Sequence, residues 1–134
     1  MDLSLYTSKH EIIKASLNTI EKLVKDGTKK NAAAISGDLN RLSAVVKMHL
    51  SSEDKFFYPE LLKSEDPKVR SIAKFYMDEM IGLAKSFTDF VTRFYIPSEI
   101  EKEEKDFEAT FATVSYALRR RMESEEESLY PLSL

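Results

Sequence analysis

The chain has 134 residues, 43% hydrophobic and 32% charged, which is enough apolar material for one buried core and too much for a disordered chain. A net charge of −3 offers nucleic acid no electrostatic attraction. The absence of cysteine removes disulfides, thiolate metal sites and a cysteine nucleophile.

With only 3 glycines and 4 prolines, the sequence predicts few, long elements with short connections. No apolar run approaches the ~20 residues needed to span a bilayer, and Met1-Asp2-Leu3-Ser4 carries no apolar leader. A single cytoplasmic domain over residues 1–134 is therefore expected. Leu3, Tyr6, His10, Ile13, Leu17, Ile20 and Val24 recur at steps of three and four, the period of an amphipathic helix. Asp26-Gly27 supplies its stop. A second stripe runs Leu39, Leu42, Val46, His49, Glu53 and Phe56, and Pro59 predicts a kink or a frayed last turn. Asp66-Pro67 reads as an N-cap with proline in the first turn, opening a third stripe of Ile72, Tyr76, Met80, Leu83, Phe87, Phe90 and Phe94. Pro97 ends it, and Ser98-Glu99-Ile100-Glu101 has the form of a capping box. The last stripe is Phe107, Phe111, Val114, Leu118, Arg121, Glu125 and Leu129. Short connections make sequential helices antiparallel, so the prediction is an all-α, up-down-up-down four-helix bundle.

The two halves are alike. His49-Leu-Ser-Ser-Glu53 precedes Phe57-Tyr58-Pro59, and Arg121-Met-Glu-Ser-Glu125 precedes Leu129-Tyr130-Pro131. Aligning the Tyr-Pro pairs sets Arg121 opposite His49 and Glu125 opposite Glu53. The apolar steps after His10 match those after Met80. A helix-hairpin repeat of this kind implies a pseudo-twofold bundle whose equivalent inward positions meet at one level.

His10, His49, Glu53, Arg121 and Glu125 sit on stripes that are otherwise apolar. A buried charge costs several kcal/mol unless it is paired or bound to a metal, so these five residues need a shared explanation. His49 and Glu53, at i and i+4, leave one face of one helix, a common way to present two ligands to one ion.

This pattern resembles the hemerythrin-like, or HHE cation-binding, family over nearly the whole chain. Members carry a His on the first helix, His-x-x-x-Glu on the second, a His on the third and His-x-x-x-Glu on the fourth, each Glu followed by an aromatic-Pro pair. In the family the two Glu residues bridge a di-iron pair, and by that resemblance one half-site survives here with His10, His49, Glu53 and Glu125 as metal ligands. Met80 and Arg121 stand where the family's third- and fourth-helix histidines belong, which argues against a complete di-iron centre.

Two accounts of the altered site stay open. In one, two His and one or two carboxylates hold a single iron ion in a 2-His-carboxylate arrangement with open positions, and Arg121 stands in for the missing charge. In the other the site is metal-free, Arg121 pairs with Glu53 and Glu125, and the bundle serves as a scaffold or interaction module. A haem held by Met80 is disfavoured, since a Met at helical spacing is usually core filler. Glu126 and Asp54 are expected at the surface or just behind the ligands, and Tyr6 and Tyr76 lie one turn from His10 and Met80. Relatives with the full site bind dioxygen, respond to oxygen, nitric oxide or redox state, or handle iron. No nucleophile-base pair or phosphate loop is present, so a binding or sensing protein of a metal and a diatomic ligand is expected rather than an enzyme.

Overall fold

The computed structural model describes residues 2–133; Met1 and Leu134, the outermost residues of the expected domain, lie outside the described residues. Helix α1 spans Ser4–Gly27. It stops at Gly27, whose φ of +142° is open to glycine and strained for any side chain. After the turn at 28–31, α2 spans Ala32–Ser52 and passes without a break into a π-helical turn, Glu53–Phe57, and the short α3, Tyr58–Leu62. Helix α4 spans Pro67–Phe94, capped by Asp66, whose side chain accepts the Lys68 N–H at 2.9 Å. The short α5, Pro97–Lys102, leads through Glu103 into α6, Glu104–Ser124. A second π-helical turn follows at Glu125–Leu129, then a 3₁₀ turn at Tyr130–Ser133.

Helix α1 packs against α2 and α6, and α4 packs against α6 and α2, closing the four long helices into a bundle. Among the described residues there are no strands. Among the described residues no helix is long and apolar enough to cross a membrane.

The core falls into two clusters. Ile13, Leu17, Ile20, Ile35, Leu39, Leu42, Val46, Phe87, Phe90, Phe94, Ile100, Phe107, Phe111, Val114 and Leu118 form the larger one. The smaller, aromatic one holds Tyr6, Phe57, Tyr58, Tyr76, Leu129 and Tyr130. On α1, α2 and α6 alike, the inward polar residues lie in the chain between members of the two clusters. The predicted site is thus a polar layer between two apolar ones.

Three details depart from the sequence reading. Phe56 is exposed and Phe57 is buried, because the π turn carries one extra residue per turn and delays the inward face by one position. Ile72 is exposed while Ala73 is fully buried, so the start of the third stripe is rotated by one residue. Ser98–Glu101 forms no capping box. Helix α5 begins at Pro97 with Ile96, which has no side-chain acceptor, at its N-cap, since the preset φ of proline opens the helix one residue before Ser98 and puts that serine inside the first turn.

Candidate metal centre

Each turn of the site is built the same way twice. The α-helices α2 and α6 end one residue before Glu53 and Glu125, and each glutamate opens a five-residue π turn. The backbone N–H of Tyr58 donates to the Glu53 carbonyl, and that of Tyr130 to the Glu125 carbonyl. This i to i+5 bond brings each tyrosine one wide turn beyond its own glutamate. The proline after each tyrosine has no N–H to continue the helical ladder.

His10, His49, Glu53, Arg121 and Glu125 are all at most 6% exposed. Their polar atoms converge. His10 Nε2 lies 3.1 Å from His49 Nε2 and 2.9 Å from Glu125 Oε1. His49 Nε2 is 2.9 Å from Glu53 Oε1 and 3.7 Å from Glu125 Oε1. One donor atom each from His10, His49 and Glu125 falls within 4.8 Å of the others. Glu53 joins this triad through His49. Two imidazole nitrogens facing one another at this distance cannot both present lone pairs unless a proton or a cation lies between them.

Glu125 divides its carboxylate. Oε1 faces the histidines, and Oε2 accepts Arg121 Nε–H at 3.0 Å. The guanidinium also donates to the Tyr58 hydroxyl at 2.7 Å and reaches Glu79 at 3.5 Å, with its carbon 4.7 Å from the centre of the Tyr76 ring. Tyr76 is held in turn by Ser124, whose hydroxyl lies 2.5 Å from the phenol oxygen. Arg121 is thus a fixed positive charge beside the shared carboxylate, clamped on an aromatic face. Met80 packs at the edge, lining with His49, Arg121 and Glu125 a cavity of about 20 Å³, room for about one water molecule.

The electrostatics follow from this arrangement. Burial works against ionising Glu125, yet hydrogen bonds from His10 and His49 and the charge of Arg121 hold its carboxyl well below the usual range. Glu53 moves the other way, pushed up by burial and by the neighbouring Glu125. Burial alone lowers the basicity of His49, but Glu125 and Glu53 outweigh it and raise the group to about 9. Burial pushes the Tyr58 and Tyr130 phenols up.

Two buried atoms have no hydrogen-bond partner among the described residues, His49 Nδ1 and Glu53 Oε1. The second lies 2.9 Å from His49 Nε2 without the angle of a hydrogen bond. A carboxylate oxygen buried with an unsatisfied lone pair, beside two imidazole nitrogens and a second carboxylate, is a donor set suited to a cation. His10 also has the usual support of a metal-bound imidazole, because its Nδ1–H donates to Glu126 Oε2 at 2.9 Å. In the tautomer that donates from Nδ1, Nε2 turns a lone pair to the triad, whereas the tautomer protonated at Nε2 donates to Glu125.

Against known proteins, the model of the hemerythrin HHE cation-binding domain matches residues 1–133. The chain belongs to this family. No curated protein and no solved structure matches it.

In this HHE domain His10, His49, Glu53, Arg121 and Glu125 lie together in the buried layer, with Met80 at its margin. Of the tyrosines one turn away, Tyr6 sets its ring edge 6.0 Å from the His49 ring and Tyr76 lies under Arg121. From the sequence Tyr58 is expected only as packing around the pocket and Tyr130 only as a landmark of the repeat, whereas both hydroxyls bond within the site. The signal was present, since each follows its glutamate by five residues, one turn of a π-helix.

Proposed function

We propose that this HHE domain binds a single iron ion, held by His10, His49, Glu53 and Glu125, and serves in oxygen, nitric oxide or redox sensing or in iron handling. One observation carries the reading. His10 Nε2, His49 Nε2 and Glu125 Oε1 converge on one point, whereas the other oxygen of Glu125 is taken by a guanidinium. Two imidazoles and carboxylates suit iron(II) with open positions, and such an ion supplies reversible binding of a small ligand and one-electron redox chemistry. Glu126 orients His10, while Glu53 and Glu125 offset the ion's charge. Arg121 occupies the side of Glu125 on which relatives, by resemblance, hold a second ion. The aromatic layer of Tyr6, Phe57 and Tyr130 keeps bulk water off the histidines.

The test is metal analysis of protein made with iron supplied and purified without air. About one iron per folded chain is expected, and a folded protein holding far less overturns the reading. The rival is a metal-free bundle acting as a scaffold. It is favoured by how nearly the network closes on itself, with Arg121, both histidines, Glu125 and Tyr130 bonded to one another and Glu53 joined through the Tyr130 hydroxyl. An empty, stably folded protein is its expected outcome.

A further inference from the structure

Tyr130 is fully enclosed, and its ring stacks on His10 at 5.5 Å between centres with an interplanar angle of 21°. Its hydroxyl lies 3.1 Å from His10 Nε2, 3.3 Å from Glu125 Oε1 and 3.4 Å from Glu53 Oε2. The phenol has one proton and three acceptor-capable neighbours, so a proton alone leaves lone pairs facing each other. Four atoms, His10 Nε2, His49 Nε2, Glu125 Oε1 and Tyr130 Oη, stand 2.9 to 3.7 Å apart in the five separations that the contacts define. Ligand atoms about 2.1 Å from one ion lie about 3.0 Å apart in an octahedral set and about 3.4 Å apart in a tetrahedral one.

The equivalent tyrosine of the other half behaves differently. The Tyr58 hydroxyl accepts from Arg121 at 2.7 Å, so its oxygen is already committed to a cation, the guanidinium. The repeat thus places one tyrosine oxygen beside each positive position of the site, one filled by Arg121 and the other facing the histidines.

Resting on the reading that the histidine side holds an ion, we propose that the Tyr130 oxygen is a further ligand to that ion. Nothing in the His-Glu pattern of the sequence assigns it. Ligation expels the phenol proton to solvent and gives the ion an anionic oxygen, which favours the ferric over the ferrous state.

The experiment uses the full chain, loaded with iron(II) without air, assayed for bound iron, and then oxidised. A phenolate on iron(III) gives a visible charge-transfer band, and resonance Raman excitation within it enhances phenolate ring modes. Both are expected in the wild type and in Tyr58→Phe. Tyr130→Phe is expected to lose the band while keeping iron, with metal affinity lowered about tenfold. Iron bound without the band or ring modes in the wild type overturns the Tyr130 assignment and leaves the iron reading standing. A band that persists in Tyr130→Phe also overturns it. No iron bound to folded wild type overturns both readings. If Tyr130→Phe fails to fold, the wild-type and Tyr58→Phe Raman spectra decide.

Discussion

At the scale of single residues, Arg121 has the largest consequences. It is buried with Glu125, and removing one member of a buried pair leaves the other charge without compensation, at a cost of about 3–5 kcal/mol. Arg121→Ala is therefore expected to lower metal-free stability by that order in denaturant unfolding. The same variant should bind a divalent ion more tightly in calorimetric titration, because the like charge across Glu125 is gone. Unchanged or weaker affinity would count against Arg121 acting as the stand-in for an ion. His49 gives a pH dependence whose sign is fixed. Its pKa rises from 6.5 to about 9 on folding, so its contribution is complete below pH 6.5 and is lost as pH climbs through 9. Glu53, also raised from its ordinary value by burial, acts in the same direction. Thermal unfolding of the metal-free protein across pH 6 to about 9.5 should show a falling midpoint. A flat or rising curve contradicts the packing of His49 against the two glutamates.

At the scale of elements, the stripes were legible because a buried helix face repeats every 3.6 residues. The four long helices and the inward polar set therefore followed directly. What was not legible was a local change of period. Phe56 lies on the α-helical extension of the second stripe, yet it is 65% exposed and Phe57 is buried. A π turn widens the coil, and no composition rule marks where one begins. The repeat held the clue, since Ser128 is the equivalent of Phe56 and Leu129 that of Phe57. Phe57→Ala should cost about 3–5 kcal/mol, and Phe56→Ala should stay within about 0.5 kcal/mol, both read from urea midpoints. The reverse order would place the chain in an uninterrupted α-helix. The same change of period hid the polar roles of the tyrosines, Tyr58 reading only as packing and Tyr130 only as a landmark.

At the scale of the whole molecule, the apolar layers on either side of the polar one carry most of the buried surface. Phe87, Phe90, Phe94, Phe107 and Phe111 lie together in the larger cluster. On the reading that the site holds an ion, its removal by chelation is expected to leave the far-ultraviolet dichroism helical, with a lower unfolding temperature. The loss should grow with the logarithm of the metal concentration given up, about 2.7 kcal/mol at one hundred times the dissociation constant. Collapse of the helical signal on chelation would show that the ion, and not the two clusters, holds the bundle together.

The divided carboxylate of Glu125 has a consequence for how the site fills. In a centre where two ions share a bridging carboxylate, the first to arrive arranges the ligands for the second, and uptake can be cooperative. Here one of the two partners of that carboxylate is part of the polypeptide, present in every copy and beyond the reach of any chelator. On the single-ion reading, loading becomes a one-step event with a simple hyperbolic isotherm. The protein would then report ambient metal in proportion over a broad range, as a graded gauge and not as a threshold.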